Sequence, residues 1–571
     1  MMTENRIQKT THSSELLLPE LLQLVATDHL HANDVAGSLK LLCREAAACL
    51  GKRFQTLTLG HKRTSADEPH RAAHPWPGHA FVTHWGRPEP WRALTLPQRT
   101  RLLCLAASSG HTGSLEAALA QCDCNVEPEV LEAAAATGSL PACERLLRQG
   151  RCQSATPGIR AAAAAGSIPI LHLLLAAEDG DVYGDERWRV DAAAEGACAG
   201  GQAGVLAWLK QTHGCRMSDS EAAVKAAEAG QLGMLQTLLP RLPETSLKAA
   251  EARRGGASEK GRQEMRLARW RLLDAMALGC PAEVFHFYYG AMWIWPTDKD
   301  AADFSSGGDS PSSPSTATAN APQVHVKARN EAMASLLVAA AASGTACWEA
   351  KMAFLCTAWG ERAAEVMRAL TGLPKSGEQM SERPDYCLRL RRLHAAGMPL
   401  LANEQWQAID KGHADALAYL WDERRVQPTE RGAVIAPKHV DKAAEELWID
   451  PLRFDNDALL WFIGVAVDSS PTPLDRRPAD QGGFWSGAFQ HAAGGGASLA
   501  VLQALCARGA AVDLEAAAAG GGVATMEWAA AQLTATGQEL KAVSRDGLEE
   551  VMNSGNWATL AWLRAQGLLR D

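Results

Sequence analysis

An alternation of Ala-rich and Leu-rich stretches, separated by a glycine, dominates the hydrophobic pattern of the chain. The sequence runs from Ala133–Ala136 through Gly138 to the leucines of Leu140–Leu147, and the same order recurs around Gly166 and Gly230. The leucines follow helical spacing, which predicts an apolar face on the second helix of each unit. The glycine can take the left-handed conformation that ends the first helix. Each unit therefore predicts two short helices joined at a glycine.

The spacing of these glycines predicts how the units are arranged. Gly110, Gly138 and Gly166 are each 28 residues apart, and a period of this size indicates that one small supersecondary unit is repeated and stacked. We predict an all-α fold, a solenoid of stacked short helix pairs. Such chains are usually binding surfaces.

Outside the repeats, the pattern predicts further regions. Met1–Ser14 is polar, a Leu-rich helical segment follows, and the irregular stretch after it is rich in His, Pro and Trp. A Ser- and Pro-rich stretch of low hydrophobicity, predicted to be disordered, interrupts the array, and the fit to the repeat is poorest at 360–485. The predicted boundaries are 1–14 (disordered), 15–60 (helical segment), 61–98 (connecting segment), 99–296 (repeats), 297–328 (disordered loop) and 329–571 (degenerate repeats).

Composition narrows the classes of partner. The formal net charge is −9, which argues against general binding to nucleic acid or to an anionic membrane, because both require a basic surface. No apolar run approaches the ~20 residues of a membrane span. The 14 cysteines are scattered singly along the chain. This distribution is typical of buried thiols in a reducing compartment. We therefore expect a cytoplasmic or nuclear protein.

The repeat resembles the ankyrin repeat in a degenerate form. The shared pattern, xAAxxGxLxxLxxLLxxG, is carried by Ala133–Gly150, Ala161–Leu175, Gly494–Gly509 and Gly555–Arg564. The Thr-Pro-Leu-His turn of the standard repeat is missing, and the period is shorter than ~33 residues. The resemblance therefore implies short or absent β-hairpin fingers, and it implies a protein-interaction module without catalytic residues.

The N-terminal segment resembles an F-box. The matching residues are Leu18-Pro19, Glu20, Leu22, Leu30, Asp34-Val35 and Leu41-Leu42-Cys43-Arg44, although Ala46-Ala47-Ala48 stands where the family usually has a Trp. The resemblance implies docking on the Skp1-type adaptor of a cullin-based ubiquitin ligase. The adaptor-docking residues that it implies are Leu18, Pro19, Leu21, Leu22 and Val25. The alternative is that the segment only caps the apolar end of the solenoid.

The chain contains 18 tryptophans but only five tyrosines. Most tryptophans are expected to fill the core between the small alanines. Trp is also a residue type that dominates interface energies, so some of these side chains are candidates for a concave binding face. The candidates in the less regular half are Trp348, Trp359 and Trp406.

Catalytic and metal-binding motifs are not evident in the sequence. It contains no phosphate-binding Gly-x-x-x-x-Gly-Lys-Ser/Thr loop, no His-Glu-x-x-His pair and no Gly-x-Ser-x-Gly elbow. Cys122-Asp123-Cys124 has no second cysteine pair nearby, and prolines interrupt the histidines between His70 and His84. We therefore predict no enzyme activity, no cofactor and no metal.

Three functions follow in order of preference. The first is a substrate receptor of a cullin-type ubiquitin ligase, in which the N-terminal segment docks the adaptor and the repeats bind the target. The second is a plain ankyrin-repeat scaffold whose N-terminal helices cap the array. The third is an enzyme whose site lies within 360–485, which would require a cleft with grouped carboxylates or histidines in that region.

Overall fold

The described part of the chain is helical. The computed structural model describes residues 19–51, 53–61, 68–148, 154–177, 186–241, 259–293, 321–370, 375–399, 413–422, 456–465 and 479–569, with a few single positions between 404 and 445. These residues form 29 α-helices and no β-strand; their one isolated bridge joins Gly60 and Ala72 in antiparallel fashion. The predicted all-α class is confirmed.

The helices fall into an N-terminal group and a longer array. The N-terminal group is α1 (Pro19–Asp28), α2 (Ala32–Gly37), α3 (Arg44–Leu50) and α4 (Gly78–Trp85), with 3-10 turns at Leu39–Leu41 and Glu89–Ala93. The first part of the array is α5 (Leu96–Ser108), α6 (Thr112–Gln121), α7 (Pro128–Ala136), α8 (Leu140–Arg148), α9 (Thr156–Ala164), α10 (Ile168–Ala176), α11 (Glu186–Ala199), α12 (Ala203–Thr212), α13 (Asp219–Glu228), α14 (Leu232–Leu238), α15 (Glu259–Gly279) and α16 (Ala282–Met292).

The second part of the array follows the residues between 293 and 321. It contains α17 (Ala321–Ala342), α18 (Trp348–Trp359), α19 (Glu361–Arg368), α20 (Lys375–Ser381), α21 (Tyr386–Ala395), α22 (Ala414–Asp422), α23 (Asn456–Val465), α24 (Ala479–Gly494), α25 (Leu499–Ala507), α26 (Leu514–Gly520), α27 (Val523–Ala535), α28 (Arg545–Ser554) and α29 (Trp557–Ala565). Helix α17 thus includes residues 321–328 of the stretch predicted as a disordered loop. The rest of that loop, and the predicted disordered residues 1–14, lie outside the described residues.

Consecutive helices pack as pairs, and the pairs pack side by side. The first helices of successive pairs contact one another in the order α5, α7, α9, α11, α13, α15 and α17, and again in the order α24, α26 and α28. The second helices α6, α8 and α10 form a parallel row. The buried faces of the first helices are mostly alanine, such as Ala133–Ala135 and Ala161–Ala163. Small side chains allow adjacent helices to approach closely, and leucines of the second helices fill the remaining space.

A glycine ends the first helix of several pairs, as the sequence predicts. At the end of α7, Gly138 has φ 72°. Its amide donates to Ala135 O at 3.0 Å, and the Ser139 amide donates to Ala134 O at 3.2 Å. This pair of hydrogen bonds is a Schellman motif, which satisfies carbonyls that the helix leaves without partners. The same two bonds recur around Gly166, Gly201, Gly230 and Gly496.

Buried arginines close the carbonyl ends of other helices. The Arg189 guanidinium donates to Leu174 O and, at 3.2 Å, to Ala177 O, at the end of α10. The Arg389 guanidinium donates to Ala341 O and, at 2.8 Å, to Ser343 O, at the end of α17. A cation at a helix C-terminus is favourable for the helix dipole, so each arginine joins one pair to another electrostatically.

The two ends of the array contact each other. Arg99, in the first turn of α5, donates to Asn556 Oδ1, which precedes α29. The Trp557 amide donates to Asp123 O at 3.1 Å, and the Trp557 indole donates to Asn125 Oδ1 at 3.1 Å. Since Arg99 and Asn556 are almost completely buried, this end-to-end contact is part of the protein interior.

Candidate protein-docking surface

The N-terminal helices form a small unit with a core of its own. Leu22 and Ala26 of α1 meet Val35, Ala46 and Leu50 of the following helices in a cluster separate from the main core of the array. Helices α1, α2 and α3 and the turn at Leu39–Leu41 pack chiefly on one another. Pro19 opens α1, where its missing amide costs no helical hydrogen bond. The unit is therefore held together by few apolar contacts.

A stripe of exposed apolar side chains lies along α1. Leu21, Leu24 and Val25 are 53%, 50% and 39% exposed, and their i, i+3 and i+4 spacing places them on one helix face. Leu41 and Leu42, just before α3, are 73% and 70% exposed. Of the twelve large hydrophobic side chains that are exposed among the described residues, six lie between residues 21 and 42. Apolar exposure concentrated in this way is characteristic of an interaction site.

Polar contacts attach this unit to the rest of the protein. Asn33 is only 3% exposed, and its amide nitrogen donates to Thr58 O at 2.8 Å and to Pro75 O at 3.1 Å. Its amide oxygen accepts from the Thr58 backbone at 2.8 Å. The buried Asn33 side chain thus ties α2 to Thr58 and to Pro75, and neither of these residues covers the apolar stripe on α1.

Aromatic residues of the connecting segment cover the beginning of the array. Trp76, Phe81, Trp85 and Trp91 form a chain of ring contacts with centroid separations of 5.1–6.4 Å, and Phe81 and Trp91 belong to the main core. The Trp76 indole donates to Ser114 Oγ at 3.0 Å. These contacts bury apolar surface at this end of the array without using the leucines of α1.

The structure separates the residues predicted to dock an adaptor. Pro19, Leu21 and Val25 are exposed, whereas Leu22 points into the core of the small unit and is 4% exposed. Leu18 lies outside the described residues. Leu24, Leu41 and Leu42 join the exposed set although they were not among the predicted residues. Their signal in the sequence was the excess of leucines over the number that so short a segment can bury.

The tryptophans predicted for a binding face are placed less favourably. Trp348 is 6% exposed and packs under the Arg389 guanidinium, with 4.7 Å between the guanidinium carbon and the ring centroid. Trp359 is half-buried, its indole donates to Tyr289 Oη at 2.6 Å, and its ring lies 5.4 Å from that of Trp293. Trp406 lies outside the described residues. Both described tryptophans therefore pack mainly against other residues of the protein.

A shallow groove lies between α6 and α8. Its volume is about 180 Å³, and small side chains such as Ala106 and Ala142 line its floor. Arg145 spans the rim and makes two hydrogen bonds to the Glu116 carboxylate, at 2.6 and 3.0 Å. The hydrogen bond from Arg145 lowers the pKa of Glu116. Arg148 and Glu144, which also line the groove, form a second ion pair at 3.0 Å. Since each arginine is paired with a carboxylate, the groove has no strong preference for a charged ligand.

A cluster of ionisable groups lies inside the 360–485 region. His394 Nδ1 is 3.1 Å from Tyr419 Oη, and His394 Nε2 is 3.1 Å from Glu404 Oε2. Burial, with a further contribution from the negative charge of Glu404, raises the pKa of Tyr386 well above its usual range. The side chains of His394 and Glu404 are 1% and 0% exposed. The two side chains form a hydrogen-bond network in the interior of the protein.

The described residues contain neither a metal site nor a membrane-spanning helix as an alternative. No three His, Cys, Asp or Glu side chains in that part of the chain are grouped as metal ligands would be. None of the helices described is both long and apolar enough to cross a bilayer. No protein-family model matches the chain, and no curated protein is significantly similar to it. The exposed apolar stripe on α1 is therefore the strongest candidate site in the described structure.

Proposed function

We propose that this protein is an ankyrin-like adaptor whose N-terminal unit docks a partner protein, as the substrate receptor of a cullin-type ubiquitin ligase. In this proposal the F-box-like unit binds a Skp1-type adaptor through Leu21, Leu24, Val25, Leu41 and Leu42, and the helix-pair array binds the target. The observation that carries the proposal is the concentration of exposed leucines between residues 21 and 42. An apolar helix face docked in a groove is a common mode of peptide and domain recognition.

The arrangement of the small unit supports docking over simple capping. A cap would place its apolar side chains against the first pair of the array. Here Trp76, Phe81 and Trp91 make those contacts, while Leu21 and Leu24 face solvent. A plain scaffold would have no need of these exposed leucines, each of which favours aggregation unless a partner covers it.

A binding measurement with the purified Skp1-type adaptor tests the proposal. Leu21→Asp with Val25→Asp places two charges on the exposed face of α1 and leaves the core residues Leu22 and Ala26 in place. Desolvating an unpaired carboxylate is costly, so we expect the affinity to fall by at least about tenfold, which corresponds to 1.4 kcal/mol. Calorimetry or surface plasmon resonance gives the two dissociation constants.

A matched control separates docking from general damage. Met552→Asp introduces one charge at an apolar helical position that is 50% exposed and lies far along the chain, in α28. This variant should bind like the wild type. The ligase proposal is refuted if the wild-type protein does not bind the adaptor at all, or if the α1 variant binds as tightly as Met552→Asp does.

A further inference from the structure

Two cysteines lie at the point where the ends of the array meet. Cys122 and Cys124 directly follow α6 and are 4% and 5% exposed. Asp123, between them, has φ 41° and is the only non-glycine residue with a positive φ among the described positions. Such a conformation is uncommon for a residue with a side chain, and here it folds the chain sharply between two thiols.

The spacing of the two thiols suits a disulfide. Residues two positions apart are at most about 7 Å apart in an extended chain, and the turn at Asp123 shortens that distance. A disulfide requires Cα atoms roughly 4.4–6.8 Å apart. Both cysteines are free thiols in the structure, and the two side chains are within hydrogen-bonding reach of each other.

The hydrogen bond between the two thiols distinguishes a nucleophile, Cys122, from a proton donor, Cys124. The hydrogen bond with Cys124 lowers the pKa of Cys122 to about 7, the Arg99 cation acts in the same direction, and burial and Asp123 oppose them. The pKa of Cys124 is raised well above its usual value by the same hydrogen bond and by burial, with a smaller contribution from Glu127. A thiolate near neutral pH is the reactive form of cysteine.

The peptide groups of this loop also receive the contacts from the C-terminal end. Asp123 O accepts hydrogen bonds from the Trp557 amide and from Arg99 Nη1, both at 3.1 Å. Cys122 O accepts from Arg99 Nη1 at 3.0 Å. The Trp557 amide also donates to Gly555 O at 3.1 Å, so a change in the backbone between the two cysteines moves the one of its two acceptors that lies at the other end of the array.

We propose that Cys122 and Cys124 are a redox modification site, which a peroxide converts to a disulfide and which thereby loosens the contact between the two ends of the array. The Cys122 thiolate attacks one oxygen of hydrogen peroxide, the O–O bond breaks, and hydroxide leaves a sulfenic acid on Cys122. The sulfur of Cys124 then attacks Cys122 Sγ; the S–S bond forms, the S–O bond breaks, and the Cys124 proton leaves with the hydroxide as water. In total two thiols and one peroxide give one disulfide and two waters.

The loop and its reactive neighbours allow a direct chemical test on the full-length protein. The protein is treated with hydrogen peroxide, its remaining thiols are alkylated, and it is digested with a Glu-specific protease. The fragment 117–129 contains only Cys122 and Cys124, because the bond between Glu127 and Pro128 is not cleaved. The fragment 133–144 contains only Cys143, and the fragment 21–45 contains only Cys43. We expect the 117–129 fragment to lose the mass of two hydrogen atoms, about 2 Da, and to take up no alkylating agent.

The two other fragments are controls within the same sample. Burial raises the pKa of Cys143 to about 12, so this thiol should remain alkylated throughout. Cys43 is exposed and reports that the oxidant has acted. The modification site is refuted if Cys122 and Cys124 both remain alkylated at a peroxide concentration that oxidises Cys43.

Hydrogen exchange tests the coupling to the end-to-end contact. Oxidation should speed exchange of the Trp557 amide by at least about tenfold, because its acceptor at Asp123 moves. In Cys124→Ala, which keeps Cys122 but cannot form the disulfide, peroxide should leave that exchange rate unchanged. A disulfide that forms without altering the Trp557 exchange rate refutes the coupling, and so does an equal acceleration in Cys124→Ala.

Discussion

Replacing Gly196 by alanine tests how closely the first helices of the array approach one another. Gly196 lies within α11, opposite α9. A Cβ atom at this position would be 2.2 Å from Arg160 O and 3.0 Å from Arg160 Cα. Since real Cβ atoms essentially never come within 3.0 Å of another heavy atom, the two helices would have to separate by about 1 Å in an interior that is otherwise close-packed.

The two energetic effects of this substitution oppose each other. Alanine stabilises a helix interior relative to glycine by about 0.5–1 kcal/mol. Inserting an extra methyl group against a backbone carbonyl costs typically 1–3 kcal/mol, and the obstacle here is main chain that cannot rotate away. We therefore expect Gly196→Ala to destabilise the protein by about 1–2 kcal/mol.

Gly204→Ala is the matched control. Gly204 lies in α12, and no heavy atom would be within 4 Å of its Cβ. The helix preference of alanine then acts alone. Because Gly204 is the second residue of α12, this variant should be more stable by at most about 0.5–1 kcal/mol. The same chemical change, eight positions along the chain, is thus expected to have the opposite sign.

Thermal unfolding followed by circular dichroism measures both effects. A change of 1 kcal/mol shifts the midpoint by roughly 2–4 °C in a domain of 150–250 residues. The Gly196→Ala midpoint should fall below that of the wild type, and the Gly204→Ala midpoint should rise above it. A stabilised Gly196→Ala protein would refute the close contact between α9 and α11, because the clash would then not exist.

Three further substitutions test other parts of the structure. Burial raises the pKa of Asp274 to about 7 from its usual 3.8, and a hydrogen bond from Ser335 opposes this shift. The folded state therefore favours the protonated acid. As the pH rises from about 4 to 7, this group lowers the free energy of unfolding. Asp274→Asn should remove that loss. In urea denaturation, the free energy of unfolding of the variant should rise relative to that of the wild type by up to about 4 kcal/mol between pH 4 and pH 8. Parallel pH profiles would contradict the burial of this carboxyl. Asn33→Ala leaves the Thr58 amide without its acceptor, at a cost of about 1–3 kcal/mol; hydrogen exchange should rise at residues 53–61 while the melting midpoint of the array stays constant, and unchanged exchange there would show that other contacts attach the small unit. Asn556→Ala removes the acceptor of Arg99 Nη2 and leaves the acceptors Cys122 O and Asp123 O in place. It should lower the thermal midpoint and speed exchange of the amide of residue 557. An unchanged exchange rate would mean that other contacts hold the two ends of the array together.

The repeated helix pairs could be predicted from the sequence because local chemistry determines them. The left-handed turn at Gly138 needs only a glycine after an alanine helix, and its Schellman bonds involve residues within five positions. The pairing of short helices follows from the same local signals. These features depend on neighbours in sequence, which a pattern of residues records directly.

The candidate docking surface could be predicted from the sequence only in part. Leu21, Leu22 and Leu24 are chemically identical, and their environments differ because a short helix turns 100° per residue and only one face meets α3. The sequence indicated that a leucine-rich segment exists, but which of its leucines are buried and which are exposed depends on how α1 packs. Leu42 directly follows the 3-10 turn at Leu39–Leu41 and is 70% exposed.

Contacts between residues far apart in the chain could not be predicted from the sequence. Trp348 was a candidate for a binding face, but Arg389 covers its ring from a different helix. The buried pair of His394 and Glu404 likewise joins side chains that are 10 positions apart in the chain. Nothing in the local pattern around Arg99 indicates that its partner lies near the opposite end of the chain.

The end-to-end contact has a consequence for how the protein is made. Arg99 and Asn556 are separated by 457 positions, and a ribosome adds about 5–20 residues per second. The guanidinium of Arg99 thus leaves the ribosome roughly 20–90 s before the asparagine that it binds. Throughout that interval the early helix pairs can form from local contacts, while the edge that will receive the last pairs stays hydrated. The nascent chain therefore completes its interior only when its final helices are released, and any truncated product exposes that edge to chaperones and proteases.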